Sequence, residues 1–171
     1  MENKAFNKID VKTLENAISA IGDTWMLITA EDKEQRRTNA MTASWGALGV
    51  LWNKPVCICF VRPERHTFKL LEEKKVFSIA FLPADMRSAY TVCGRESGRD
   101  VDKLEKCGLS VLELDGSSVI AEADTVITCK ALYEDDLKEN CFLDTSLLSN
   151  YASAGYHRMF VCEIIGAYKK I

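Results

Sequence analysis

Arg37-Thr38-Asn39-Ala40-Met41-Thr42-Ala43-Ser44-Trp45-Gly46 is the stretch from which the rest of the chain is read. It suits neither a helix nor a plain amphipathic strand. Polar Thr38, Asn39, Thr42 and Ser44 alternate with small Ala40 and Ala43, and a large ring at Trp45 precedes a turn residue at Gly46. Short side chains let backbone N–H and C=O groups approach a bound molecule, while hydroxyls, an amide and an indole orient it. Small-molecule sites combine these parts, an apolar wall and a few placed polar groups. The competing reading is a solvent-edge strand ending in a hairpin, with Trp45 as core filling.

Outward from this stretch, the chain bounds its own class. Its 171 residues predict one domain over 1–171, since a domain takes roughly 150 residues. Apolar residues make up 47% and charged residues 27%, ordinary for a globular protein. A net charge of −3 with mixed signs lacks the basic stripe of a nucleic-acid binder. No apolar run approaches the roughly 20 residues of a membrane span, and residues 1–8 lack a signal peptide's apolar segment. The expectation is a cytoplasmic protein with no nucleic-acid or membrane partner. The seven cysteines are odd in number and contain no C-x-x-C, which argues against a disulfide framework. Cys57 and Cys59 fall on one face of an apolar strand, about 7 Å apart, with no His beside them, so reduced thiols in a core are expected and no metal site.

Residues 10–21 read as an amphipathic helix with Asp10 as N-cap and Gly22 as stop. Trp25–Ala30 and residues 38–46 read as strands of a hairpin whose polar tip, Glu31–Arg37, is solvated. Val56–Val61 is a buried strand, followed by a two-turn helix Phe68–Lys74 capped by Thr67. Val76–Leu82 is a strand and Ala84–Val92 a short helix. Ser97 opens a helix running from Gly98 or Arg99 to Cys107, which Gly108 ends. Asp115-Gly116 turns a hairpin. Asp124–Tyr133 and Met159–Tyr168 are strands, Glu134–Asn140 is a solvated charged segment, and 141–156 has no clear pattern. Seven or eight strands with short helices predict a mainly β fold, antiparallel and barrel-like, with helices over its openings.

Two further segments bear on chemistry. In Arg62-Pro63-Glu64-Arg65-His66-Thr67, two guanidinium groups and a hydroxyl gather at a helix start. Free N–H groups and the helix dipole there favour a phosphate, and arginine adds charge-assisted bonds. Pairing of these arginines with Glu64 or Glu72 on a solvated turn is the other reading. Cys93-Gly94-Arg95-Glu96-Ser97-Gly98-Arg99-Asp100 again sets glycines, a serine and arginines before a helix. It is neither a Walker loop nor a dinucleotide fingerprint. A flat ring with a phosphate tail would use all three segments.

Taken together, Asn39–Gly46, Lys54-Pro55-Val56, Arg62–Thr67 and Cys93–Lys103, with Tyr156–Glu163 near the end, resemble the flavin reductase-like family, which includes flavoredoxin. The resemblance implies an FMN-binding split β-barrel of antiparallel Greek-key type, and a homodimer holding FMN near the subunit interface. It implies that Asn39, Met41, Thr42, Ala43, Ser44 and Trp45 lie against the isoalloxazine ring, and that Arg62, Arg65 and Thr67 hold the phosphate. Cys93, Gly94, Ser97, Gly98, Arg99 and Lys103 would complete the cofactor pocket, and His157 would stand on the catalytic side, where a hydride donor approaches. Glu96, Tyr156 and Cys162 depart from the family's usual residues. The activity implied is transfer of hydride or electrons from NADH or NADPH through FMN to an acceptor. The alternatives are a flavoredoxin-like carrier served by a redox partner protein and a non-catalytic flavin-binding module.

Overall fold

A computed structural model describes residues 5–14 and 17–171. Ten strands are formed among them: β1 (Phe6–Ile9), β2 (Met26–Asp32), β3 (Arg37–Ala43), β4 (Gly46–Leu51), β5 (Lys54–Val61), β6 (Val76–Phe81), β7 (Val111–Leu114), β8 (Ser117–Ile120), β9 (Thr125–Asp136) and β10 (Arg158–Lys170). Eight make one sheet in the order β3-β2-β6-β9-β10-β5-β4, with β1 added on β10, and β7 and β8 form a separate hairpin. Every pairing is antiparallel. The two ends of the path, β3 and β4, are consecutive in the chain and joined only by Ser44-Trp45. The barrel is therefore open between them, the split barrel of Greek-key type that was expected.

Alternation along β2 explains the two-sided core. Met26 and Ile28 join a cluster with Met41, Cys57, Phe77 and Phe160, while Leu27 joins Ala40, Tyr90, Cys93, Leu104 and Val119. Period-two side chains thus bury both faces of one strand. The first cluster also takes in α2 (His66–Lys74) through Phe68, Leu70 and Leu71. The second is covered by α3 (Ser88–Arg95) and α4 (Lys103–Cys107).

Several local expectations change. The helix over 10–21 is instead a 3-10 turn at Val11–Thr13, then the short α1 (Ala17–Ser19) running into a π-type turn, Ala20–Thr24, so Gly22 does not end it; Glu15 and Asn16 lie outside the described residues. The strand β1 was not foreseen. Gly46 opens β4 instead of closing β3, and a Cβ there would stand 2.6 Å from the Ile58 carbonyl oxygen, so the strand pairing itself demands glycine. The charged run from 134 continues β9 to Asp136, where Arg158 pairs with it at 2.7 Å. Thr67 does not cap α2; Arg65 occupies that position. The helix before Gly108 starts at Lys103, because the Asp102 carboxylate accepts from the N–H groups of Leu104 and Glu105. Ser97 closes only a turn, its hydroxyl accepting from Arg99 N–H. Asp115-Gly116 does turn the β7–β8 hairpin, with φ of 50° and 71°.

Candidate functional site

The gap between β3 and β4 opens onto a cleft of about 230 Å³. Its floor is the end of β3, from Met41 to Ala43, with Ser44 and Trp45 following. Phe60, Arg62, Arg65 and His157 complete the walls. Trp45 is 43% exposed, which excludes the core-filling reading of the indole. Its ring stands 4.9 Å from that of His157, tilted by 52°. Since β3 pairs only with β2, the backbone groups on its other edge have no strand partner and can meet a ligand. The side chains of β3 have a different task from the one anticipated. Thr42 Oγ1 donates to the Tyr90 carbonyl at 2.6 Å, and buried Asn39 donates from Nδ2 to Thr67 Oγ1 at 2.8 Å. These bonds fasten α3 and α2 to the strand.

A second cleft of about 180 Å³ adjoins the first and shares Arg65 with it. Thr67, Gly94, Ser97, Gly98, Arg99 and Lys103 all face it, together with His66, Arg95 and two glutamates. Arg65 donates from Nη1 to the Gly94 carbonyl at 3.0 Å and from Nη2 to that of Cys93 at 2.9 Å. A guanidinium carries five N–H donors, so others remain for a ligand. Burial lowers the pKa of Arg65, and it pushes Lys103 down to about 8. Lys103 is only 4% exposed, and among the described residues its side chain makes neither a hydrogen bond nor an ion pair. Two desolvated cations without a carboxylate are costly unless an anion joins them. Glu96 lines this cleft, but its carboxylate is engaged by Lys106 at 2.7 Å. Gly98 presses on Asn39: a Cβ would lie 1.9 Å from Oδ1. The Gly98 carbonyl is held at 2.6 Å by Arg37 Nη2.

Arg62 shares the first cleft with Arg65 but does not line the second, where Arg65 and Thr67 meet. Its guanidinium donates to the carbonyls of Asn150 at 3.0 Å and Gly155 at 3.3 Å. Glu64 accepts from Gly155 N–H at 3.0 Å. Together they dock the segment that carries Tyr151, Tyr156 and His157; the two tyrosine rings stack at 4.7 Å. Burial, and then the charge of Arg62, lower His157 to about 4, so its imidazole is neutral at physiological pH.

Four contributors escaped the sequence reading. Phe60 was discoverable, because it lies out of step with inward-facing Cys57, Cys59 and Val61 on β5. Tyr151 falls in the patternless segment. Asp32 and His66 meet at 2.6 Å across 34 positions, a relation without local signal. Asp32 is 1% exposed and not on a solvated tip. Burial acts to raise its pKa, but bonds from Gln35 N–H and His66 outweigh that and hold it below the usual carboxylate range. His66 Nδ1 is buried with no hydrogen-bond partner. All seven cysteines are free thiols. Among the described residues no His, Cys, Asp or Glu cluster is placed to hold a metal ion, and no helix is long and apolar enough to cross a membrane.

A ring lobe beside unpaired strand backbone, joined to a lobe with two unneutralised cations, fits a planar ligand with an anionic tail. The fold is shared with an FMN-binding domain of a flavin reductases-like enzyme from Shewanella baltica, at 17% identity and a TM-score of 0.69, covering 99% of this chain and 79% of that one. It is shared with flavoredoxin from Methanosarcina acetivorans, at 24% identity and a TM-score of 0.66 over 85% and 68% of the two chains. The NADH:FAD oxidoreductase of Streptomyces globisporus is similar at 18% identity and a TM-score of 0.63, over 85% and 75%. Among curated sequences, an uncharacterized protein of Aeropyrum pernix is 30% identical over 105 residues, a match taking in 60% of this chain and 39% of the relative. The chain thus spans well under two thirds of that relative's length. The family model for the flavin reductase like domain matches residues 18–170, and the chain belongs to that family.

Proposed function

We propose that the chain forms one flavin-binding unit over 1–171 that holds FMN and works as an NAD(P)H-dependent oxidoreductase, passing reducing equivalents to an acceptor. The observation that carries this reading is the pair of clefts joined at Arg65, with Lys103 buried beside it and lacking a counter-ion. Arg65, Lys103, Thr67, Ser97 and Arg99 would hold the phosphate, with Gly94 and Gly98 keeping that lobe open and Cys93 packed behind it. The backbone of Met41–Trp45 would meet the ring edge, where N–H groups act as preorganised donors. Asn39 and Thr42 position α2 and α3, and Arg62 steadies the wall that bears His157. Bound FMN supplies the hydride and electron chemistry, so the protein's part is to bind, orient and exclude water. Neutral His157 stands beside Trp45 as a ring-side contact for the donor and not as a proton source.

A homodimer is part of the proposal. Its support is the exposed apolar run Val50, Leu51 and Trp52 at the far end of β4, the edge strand that starts after Trp45, and in the turn that follows it. A cytoplasmic setting is also part of the proposal, supported by seven unpaired thiols, which suit a reducing compartment. A second reading, a flavoredoxin-like carrier reduced by a partner protein, is favoured by the crowding of His157 between Trp45 and Tyr151, whose ring lies 5.7 Å away. The deciding experiment is the visible spectrum of FMN-loaded protein before and after NADH or NADPH under argon. Bleaching by either donor supports the reductase. A flavin that stays oxidised with both, yet is reduced by a protein donor, assigns the carrier. Failure to retain FMN removes both.

A further inference from the structure

His66 is the first residue of α2 and lines the anion cleft together with Arg65 and Thr67. Its side chain is only 9% exposed. Nε2 lies 2.6 Å from Oδ2 of Asp32, on β2. The other Asp32 oxygen accepts from Gln35 N–H at 3.0 Å. Burial works to raise the Asp32 carboxyl, yet these two bonds hold it below the usual carboxylate range. An ionised carboxylate only accepts, so Nε2 carries the hydrogen and the ring is left with Nδ1 as its open polar atom. The Cδ2 edge packs against Gly98, where a Cβ would lie 3.2 Å away. Nδ1 is buried and has no hydrogen-bond partner, so neither protein nor solvent serves it. Other groups of the cleft are open in the same way. Thr67 Oγ1 accepts from Asn39 Nδ2 and keeps its own hydrogen to donate. Lys103 is buried without a counter-ion among the described residues, and the first N–H groups of a helix have no partner within it. An oxyanion would satisfy all of them.

We propose that His66 is a phosphate-binding residue of this cleft, its Nδ1 sharing a proton with an oxygen of the ligand's phosphate, and that Asp32 is the positioning residue that fixes the ring for it. This role rests on the flavin-binding reading and adds a proton to it. A bare ring nitrogen and a phosphate oxygen are both acceptors and repel. One hydrogen between them turns the contact into a charge-assisted bond. At about pH 8 a phosphate monoester is a dianion, so the hydrogen comes from solvent. One proton goes to Nδ1, the ring becomes an imidazolium, and it donates from Nε2 to Asp32 and from Nδ1 to the phosphate. Asp32 stays ionised and balances the charge. The other charged groups of the cleft are Glu64 and Arg65 before α2, Arg95 and Glu96 at the end of α3, Arg99 in the loop that follows, and Lys103 on α4. Glu96 is engaged by Lys106 and Glu64 by Gly155 N–H, and neither meets Nδ1.

The chain has only two histidines, so nitrogen NMR of the labelled full-length protein resolves this atom, and H66N identifies its signals by their loss. Spectra are taken at about pH 8 without ligand, with riboflavin, with FMN and with inorganic phosphate. The expected result is a bare Nδ1 in the empty and riboflavin-bound protein and a protonated Nδ1 with FMN or phosphate. The measurement reads the nitrogen itself, so protons taken up by Lys103 do not enter it. Nδ1 in one state throughout overturns the proposal, as does a change that riboflavin causes equally. FMN that binds, as seen by flavin fluorescence, while Nδ1 stays unchanged sinks this role and leaves the flavin reading standing. Protonation by inorganic phosphate in a protein that does not retain FMN does the reverse. D32N tests the positioning. Its amide oxygen still serves Gln35 N–H and its amide hydrogen turns to Nε2, so Nδ1 should carry the hydrogen before any ligand is added, and FMN should no longer change it. A D32N series like the native one removes Asp32 from the role. If D32N does not fold, the native series decides alone.

Discussion

The carbonyl of Gly94 is held 3.0 Å from Arg65 Nη1, which ties the last turn of α3 to the start of α2. The same guanidinium faces both clefts. Replacing Arg65 with alanine is expected to weaken FMN binding by about 1.5–3 kcal/mol, a charge-assisted bond's worth, or roughly 10- to 150-fold in Kd. Riboflavin, which lacks the phosphate, should lose far less. Fluorescence titration with both ligands checks this, and equal losses would remove Arg65 from the phosphate site.

Lys103 supports a prediction with two opposite signs. The side chain is buried as a whole and its ammonium makes no ion pair among the described residues, so Lys103→Met relieves a desolvated charge while filling similar volume. The FMN-free protein should gain stability, on the order of 1–2 kcal/mol, while FMN affinity falls. Thermal unfolding with and without FMN reads both effects. A variant less stable without ligand would mean that the lysine packs favourably as it stands.

Gly98→Ala should destabilise by about 1–3 kcal/mol, the usual cost of forcing extra volume into a packed place. The new methyl would collide with the Asn39 amide and break its bond to Thr67. Denaturant unfolding measures the loss, and G98A/N39A should recover part of it. No recovery in the double variant would show that the collision lies elsewhere.

His157 gives a pH dependence whose sign follows from its depressed value, about 4 in the folded state against 6.5 as reference. Between those limits the unfolded chain binds more protons than the folded one, so stability rises with pH through the window and is lost on acidification. His157→Asn should flatten the slope of unfolding free energy between about pH 6.5 and 4. His157→Ala should slow reduction of FMN by NAD(P)H while leaving FMN bound. Loss of FMN from this variant would instead make the histidine structural.

Much of the fold could be read because its signals were local. The Asp115-Gly116 turn, the glycine ending α4 and the arginines at the strand-to-helix corner each depend on residues a few positions apart. Where the expectation misses, the real signal is close by: Ser97 is the expected cap, but it is Asp102, five positions later, whose carboxylate sits on two free N–H groups. β1 was invisible because its four residues pair with β10 at the far end of the chain. The candidate site was legible in its backbone and less so in its side chains. Asn39 and Thr42 carry groups that suit a ligand, yet the helices packed on them claim those groups first. Arg62 and Arg65 are three positions apart, but the turn between them sends the first to the segment around Tyr151 and the second to the end of α3.

The opening between β3 and β4 is both the missing seam of the barrel and the mouth of the cleft. A molecule lodged there would act as a keystone, touching the strand that ends the sheet on one side and the β5–β10 wall on the other. Its grip would then depend on how far the two margins breathe apart. Changes deep in the β9–β10 pairing, remote from the cleft, would therefore alter how long such a molecule stays.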